Sequence, residues 1–203
     1  WQRGHAWHHT AATLKLFPLP GEITTVMFAL KSSGDAVRLL SHVRGSIGDR
    51  IEAFELISNF VLDLVLKYIP DSPLPFADES AWYVLADFAG IPEDELQRSL
   101  NAAIESELVD DVIVAKNEIE AARLWRLRYS ISESERAEGR ALKHDISVPI
   151  SRFEEFLKRG DELLAERFPE GQLIAFGHVG DGNLHYNVAL PADFEHHEDV
   201  TTA

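Results

Sequence analysis

The sequence predicts an α+β fold: a ferredoxin-like split βαβ antiparallel sheet with additional helices and a C-terminal β-hairpin. Apolar runs rich in β-branched and aromatic residues recur along the chain. Segments with helical spacing lie between them, in strand–helix order rather than strict alternation. Asp181-Gly182 falls between two of the last runs, the residue pair that a tight hairpin turn favours.

The strand-like runs are Ile23–Leu30, Ile51–Ile57, Trp82–Phe88, Asp111–Ala115, Ile146–Pro149, Leu173–Phe176 and Leu184–Leu190. Ala36, Leu39, Leu40 and Val43 form one helical stripe, and Leu96, Leu100, Ala103 and Ile104 form another. From Ile23 to Ala115 the order is strand–helix–strand, a further helix over Ser58–Tyr68, then strand–helix–strand. Pro70-Asp-Ser-Pro-Leu-Pro75 reads as a rigid surface loop between the halves. Pro92 stands where a first helical residue would be, and Ser151-x-x-Glu154 reads as a capping box before Phe153, Phe156, Leu157, Leu163 and Leu164. After Ala115 a long helix is expected, then an irregular polar stretch over Ser130–His144.

Composition narrows the function classes. Asp and Glu outnumber Lys and Arg 34 to 19, for a formal charge of −15. Such a chain repels a phosphate backbone, so no nucleic-acid partner is expected. There is no cysteine, which excludes disulfides and thiolate metal sites and fits a reducing cytoplasm. No apolar run approaches the roughly 20 residues of a membrane span, and Trp1–Thr10 does not read as a secretory signal.

Chemistry concentrates in the predicted hairpin. If Asp181 and Gly182 form a two-residue turn, Val179 faces Leu184 and His178 faces His185. Opposed residues have Cβ atoms about 4.5–5.5 Å apart, a spacing that suits two imidazoles sharing one metal ion. Alternation puts Asn187 on the face of His185, while Leu184, Tyr186 and Val188 turn into the core. The residues alone leave two readings open: a metal pair, or two histidines that are separately hydrogen-bonded or exposed. A second cluster follows the long helix, where Leu124-Trp125-x-x-Arg128 precedes Ser132 and Lys143. Arg128 and Lys143 either form an anion site or pair with neighbouring acids such as Glu133 and Glu135.

The segment Gly177-His178-x-Gly180-Asp181-Gly182-Asn183-x-His185-x-Asn187 resembles the signature of the FAD-linked oxidase C-terminal domain, found in D-lactate dehydrogenase, D-2-hydroxyglutarate dehydrogenase and the flavin subunit of glycolate oxidase. The resemblance runs from about Thr10 to Leu190 and includes Leu124-Trp125-x-x-Arg128. It implies that His178 and His185 bind a divalent ion, usually zinc, that holds the 2-hydroxy and carboxylate oxygens of a 2-hydroxyacid substrate. It further implies that Asn187 lines the same pocket, while Arg128, Ser132 and Lys143 grip a carboxylate.

The family implies a long FAD-binding domain before this one and a Glu-His-Gly-Ile-Gly motif after the hairpin, supplying a third ligand and the general base. The 203 residues hold neither, and Glu195-His196-His197-Glu198 reads as a polar tail. Thr10–Pro18 matches the family, but Trp1–His9 does not. Suitable codons for Trp1–His9, read one base on, encode the family's Gly-Ser-Glu-Gly-Thr-Leu-Gly-Ile. Residues 1–9 are therefore expected to be a frameshifted remnant of the FAD-domain end, and residues 10–203 the truncated substrate domain. The expectation is the substrate- and metal-binding part of an FAD-dependent 2-hydroxyacid dehydrogenase, inactive alone and holding metal weakly. Its partners would be an FAD-binding polypeptide or a second copy of itself in a homo-oligomer. The alternative is a non-catalytic small-molecule or metal-binding module left by a split gene.

Overall fold

The computed structural model describes residues 21–191 together with Ala11 and Thr13. The readings of Trp1–His9 and Glu195–Glu198, and of Thr10–Pro18 apart from Ala11 and Thr13, lie outside the described residues. The first half runs β1 (Ile23–Leu30), α1 (Ser33–Ile47), β2 (Ile51–Ser58), α2 (Asn59–Tyr68), β3 (Trp82–Ala89), α3 (Glu93–Glu105) and β4 (Asp111–Val114). The second half adds α4 (Glu118–Tyr129), α5 (Ile131–Glu138), β5 (Ala141–Leu142), β6 (Asp145–Ser147), α6 (Phe153–Arg167), β7 (Gln172–His178) and β8 (Asn183–Ala189). One antiparallel sheet orders them β4-β1-β3-β2-β7-β8-β5, with β6 also paired to β8. The first four strands make the ferredoxin-like order, and the C-terminal hairpin extends it from β2.

Both faces of the sheet are covered, so its strands read as nearly continuous apolar runs. On one face Val26, Phe28, Leu56, Val84 and Leu184 pack against α1, α3 and α6 through Leu39, Leu40, Leu100, Phe153 and Leu157. On the other, Met27, Ile57, Tyr83, Leu85, Ile174 and Phe176 pack against α2, α4 and α5 through Val61, Val65, Leu124, Leu127 and Ile131. Each large apolar side chain buried this way contributes about 1.5–3 kcal/mol.

Local signals set the helix ends. Ser32 caps α1 by accepting a bond from the Asp35 amide, and Gly48 ends it at φ 71°. Asn117 caps α4 in the same way through the Glu120 amide.

Several expectations are corrected. Pro92 is the N-cap of α3 and lies just outside it. Ile104 is 46% exposed and is not part of the buried α3 stripe. Ser151 lies in a 3-10 turn, Ile150–Arg152, and α6 has no side-chain cap bond, so no capping box forms. Glu154 turns instead toward Arg38, 3.7 Å away. The stretch Ser130–His144 is not irregular, for it contains α5 and β5. Ile131, Ser134 and Glu135 give α5 its buried face at i, i+3, i+4 spacing, and two of those three residues are polar.

The hairpin register also differs. β7 and β8 pair Phe176 with His185, Ala175 with Tyr186 and Ile174 with Asn187. A 3-10 turn over Val179–Asp181 closes the hairpin, and Gly182 at φ 68° takes the left-handed position. A two-residue turn would have opposed His178 to His185. The longer turn shifts the pairing by two, so side-chain faces are kept but the histidines become diagonal neighbours.

Candidate functional site

The side chains of interest lie on the α2/α4/α5 face, at the end of the sheet where β2, β7 and β8 run together. A register shift in the β2–β3 pairing between Ile51 and Ala53 prepares this face. It lets Ile51 pack in the α1/α3/α6 core while Ala53, Glu55 and Ile57 point to the opposite side. Glu55 is thereby placed opposite His178 in the β2–β7 pairing.

Glu55 is the center of the site, and its side chain is only 5% exposed. Its Oε1 contacts Nδ1 of His178. Its Oε2 accepts a bond from Nε of Arg128 at 2.8 Å. The Arg128 guanidinium lies over the Phe176 ring, 4.9 Å from its centroid. The His185 imidazole also packs on the Phe176 ring, with centroids 4.6 Å apart. His185 in turn has Nδ1 3.7 Å from Asp145 Oδ1 on β6. Burial holds the His185 imidazole below its usual pKa, outweighing the Asp145 carboxylate, and so favours the neutral form that can bind a metal.

A second buried carboxylate organises the other end. Glu135 accepts a bond from Nδ2 of Asn187 at 2.9 Å and one from Nζ of Lys143 at 2.9 Å. The Asn187 carbonyl oxygen accepts from the His144 amide at 3.0 Å. Asn187 is buried with both ends of its amide engaged, whereas the Lys143 side chain is 55% exposed. Ser132 is exposed on the first turn of α5. Trp125 aims its indole N–H at Asp87, 3.0 Å from one carboxylate oxygen, and Asp87 also accepts from the Thr25 hydroxyl at 2.6 Å. These contacts tie α4, and with it Arg128, to the sheet.

The histidines, Asn187 and Arg128 therefore share one face, and Lys143 reaches it through Glu135. Of the acids weighed as partners, Glu135 does pair with Lys143, while Arg128 takes Glu55 instead. Among the described residues, no group of three or more His, Cys, Asp or Glu side chains gathers as a metal cluster. A cleft of 440 Å³ opens beside Glu55 and His178, walled by Arg44, Trp125 and Tyr129. A wider cleft of 1040 Å³ lies between the Pro70–Pro75 loop and α4, away from these groups, and is lined by Leu66, Ile69 and Leu127.

Sequence reasoning missed Glu55 and weighed Glu135 only as an ion-pair partner. The available signal was a lone acid inside the apolar run Phe54-Glu55-Leu56-Ile57, where burying a charge requires a partner.

The comparisons agree with this architecture. The model of the family FAD linked oxidases, C-terminal domain, matches residues 19–202. The chain is similar to the D-2-hydroxyglutarate dehydrogenase of Xanthomonas citri pv. viticola, 34% identical over 183 residues covering 89% of this chain and 38% of that protein. The corresponding protein of Stutzerimonas stutzeri is 30% identical over 183 residues, covering 89% of this chain and 39% of its own length. The chain thus spans well under half of either relative.

Among solved structures, an alkyldihydroxyacetonephosphate synthase matches with a TM-score of 0.56 at 11% identity, over 90% of this chain and 38% of that one. p-Cresol methylhydroxylase gives a TM-score of 0.56 at 10% identity, over 86% and 39%. At such identity these likenesses speak for the fold alone. The match over residues 19–202 identifies the chain as a member of the FAD linked oxidase C-terminal domain family.

Proposed function

We propose that this chain is the substrate-binding part of an FAD-dependent 2-hydroxyacid dehydrogenase, of the kind for which its D-2-hydroxyglutarate dehydrogenase relatives are named. The observation that carries the reading is the convergence of His185 and Arg128 on the Phe176 ring, with Glu55 bridging Arg128 to His178. Arg128 would grip a substrate carboxylate with its two Nη groups, since its Nε is used by Glu55. Ser132 and Lys143 would complete the anion site. Asn187 would line its floor and hold Lys143 in place through Glu135.

His178 and His185 would hold a divalent ion such as zinc. The donor chemistry fits, because each ring turns Nδ1 toward a carboxylate and keeps Nε2 for a ligand. When bound, such an ion supplies Lewis acidity that lowers the pKa of a substrate hydroxyl. Two neutral ligands make a weak site. Flavin would then be held by a separate FAD-binding domain or polypeptide, as the family's description as FAD linked oxidases implies. In this reading the 203 residues alone are inactive. Self-association through the surface that would meet such a domain belongs to the same reading, as does a cytoplasmic location, although some plant relatives are named mitochondrial. No helix among the described residues is long and apolar enough to cross a membrane.

Calorimetric titration with zinc tests the metal claim. The wild-type chain should show one weak site, and His185→Ala should lose it. Identical curves would remove the claim.

A further inference from the structure

We propose that Glu55 is a positioning residue: its buried carboxylate fixes which ring nitrogen His178 presents outward and leaves the fork of Arg128 open to an anionic ligand. The inference rests on the functional reading above and adds to it a residue outside both sequence motifs.

An ionised carboxylate can only accept hydrogen bonds. Oε1 of Glu55 faces Nδ1 of His178, so in the neutral ring the proton sits on Nδ1 and the lone pair on Nε2. The His178 side chain is 46% exposed while Glu55 is 5% exposed, so the engaged edge of the ring is the inner one. Oε2 takes the Nε–H of Arg128, and the guanidinium plane is held against Phe176. Among the described residues no acceptor engages either Nη of Arg128, so the paired donors that match a carboxylate remain available.

A purely structural position would not need this residue. Ala53 and Ile57, two positions away on the same face of β2, are apolar. A charge buried there is costly unless both its oxygens are satisfied, and the two partners that satisfy them are the metal-ligand candidate and the anion-binding candidate. One carboxylate thus couples the two halves of the site.

Glu55→Gln separates the roles. An amide keeps the shape but replaces one acceptor with a donor, so it cannot accept from both Nδ1 of His178 and Nε of Arg128. Glu55→Asp keeps both acceptors on a shorter stem. The measurement is imidazole nitrogen NMR of the metal-free chain at a pH where the rings are neutral, with the Arg128 Nε–H resonance recorded alongside. We expect the wild type to show His178 with its proton on Nδ1 and a slowly exchanging Arg128 Nε–H. Glu55→Gln should lose one or both signatures, and Glu55→Asp should retain them. With zinc as the probe, Glu55→Gln should weaken binding about 10- to 100-fold, with Glu55→Asp closer to wild type.

A wild-type His178 protonated on Nε2 would overturn the proposal without any variant being needed. So would a Glu55→Gln chain that keeps both signatures. If the wild type binds no zinc, the metal reading fails, while the tautomer and exchange results still decide what Glu55 does.

Discussion

Asn187→Ala tests the polar half of the site through stability. The Asn187 amide is buried and makes two bonds: it accepts from the His144 amide at 3.0 Å and donates to Glu135 at 2.9 Å. A neutral bond contributes about 0.5–1.5 kcal/mol and one to a charged group about 1.5–3 kcal/mol, so losing both should cost about 2–4.5 kcal/mol. For a chain of this size each kcal/mol moves the melting midpoint by about 2–4 °C, giving a fall of roughly 4–18 °C. Urea unfolding followed by circular dichroism reads the first figure, and a thermal scan reads the second.

Asn183→Ala is the internal control, because Asn183 donates to Asp145 at 2.8 Å in an exposed pair and should change little. A double-mutant cycle of Asn187→Ala with Glu135→Ala should return a coupling of about 0.5–3 kcal/mol. A cost below about 0.5 kcal/mol for Asn187→Ala, or strict additivity in the cycle, would refute the claim that Asn187 and Glu135 form one buried unit.

Two further outcomes follow from single positions. Gly182→Ala would put a Cβ 2.2 Å from the Val148 carbonyl oxygen at φ +68°, a backbone collision, whereas Gly180→Ala would meet only Arg44 at 3.7 Å. The first should cost more than about 2 kcal/mol and the second almost nothing, which chemical unfolding of the two variants can compare. Burial alone would raise the Asp35 carboxyl, but the Ser32 hydroxyl and the Arg38 guanidinium outweigh it and hold it below the usual aspartate range. Its contribution is therefore present above the unfolded pKa near 3.8 and lost as pH falls through the lower folded value. Asp35→Asn should cost about 0.3–1 kcal/mol at pH 7 and converge on wild type in acid, and equal stabilities at pH 7 would contradict this.

The strands were legible because burial on both faces makes them apolar throughout: β1 falls where its run of residues does, β2, β3 and β4 differ by one residue at one end, and β8 by one residue at each end. The faces of His178, His185 and Asn187 were legible too, since alternation survives a register shift of two. Three things were not. The turn at Val179–Asp181 uses Gly182, not Asp181-Gly182, as its left-handed position, and dipeptide preference cannot distinguish these. α5 was hidden because Ser134 and Glu135 replace the apolar residues that would mark its buried face. Glu55 was hidden by the register shift after Ile51, which changes the face of the residues that follow and leaves no mark in composition.

The two-sided packing of the sheet has a consequence for redesign. The polar groups stand on one face with α2, α4 and α5, while α1, α3 and α6 close the other with a core of their own. A library confined to the first layer, at Ser132 and Tyr129 around the rim, could vary the proposed ligand preference while the second layer serves as an unmodified chassis. Stabilising substitutions could be collected separately beneath α3 and α6 and then combined, because effects in contact-free regions tend to add. The domain is in this sense already modular, with the proposed recognition face and a separate apolar core on opposite sides of one sheet.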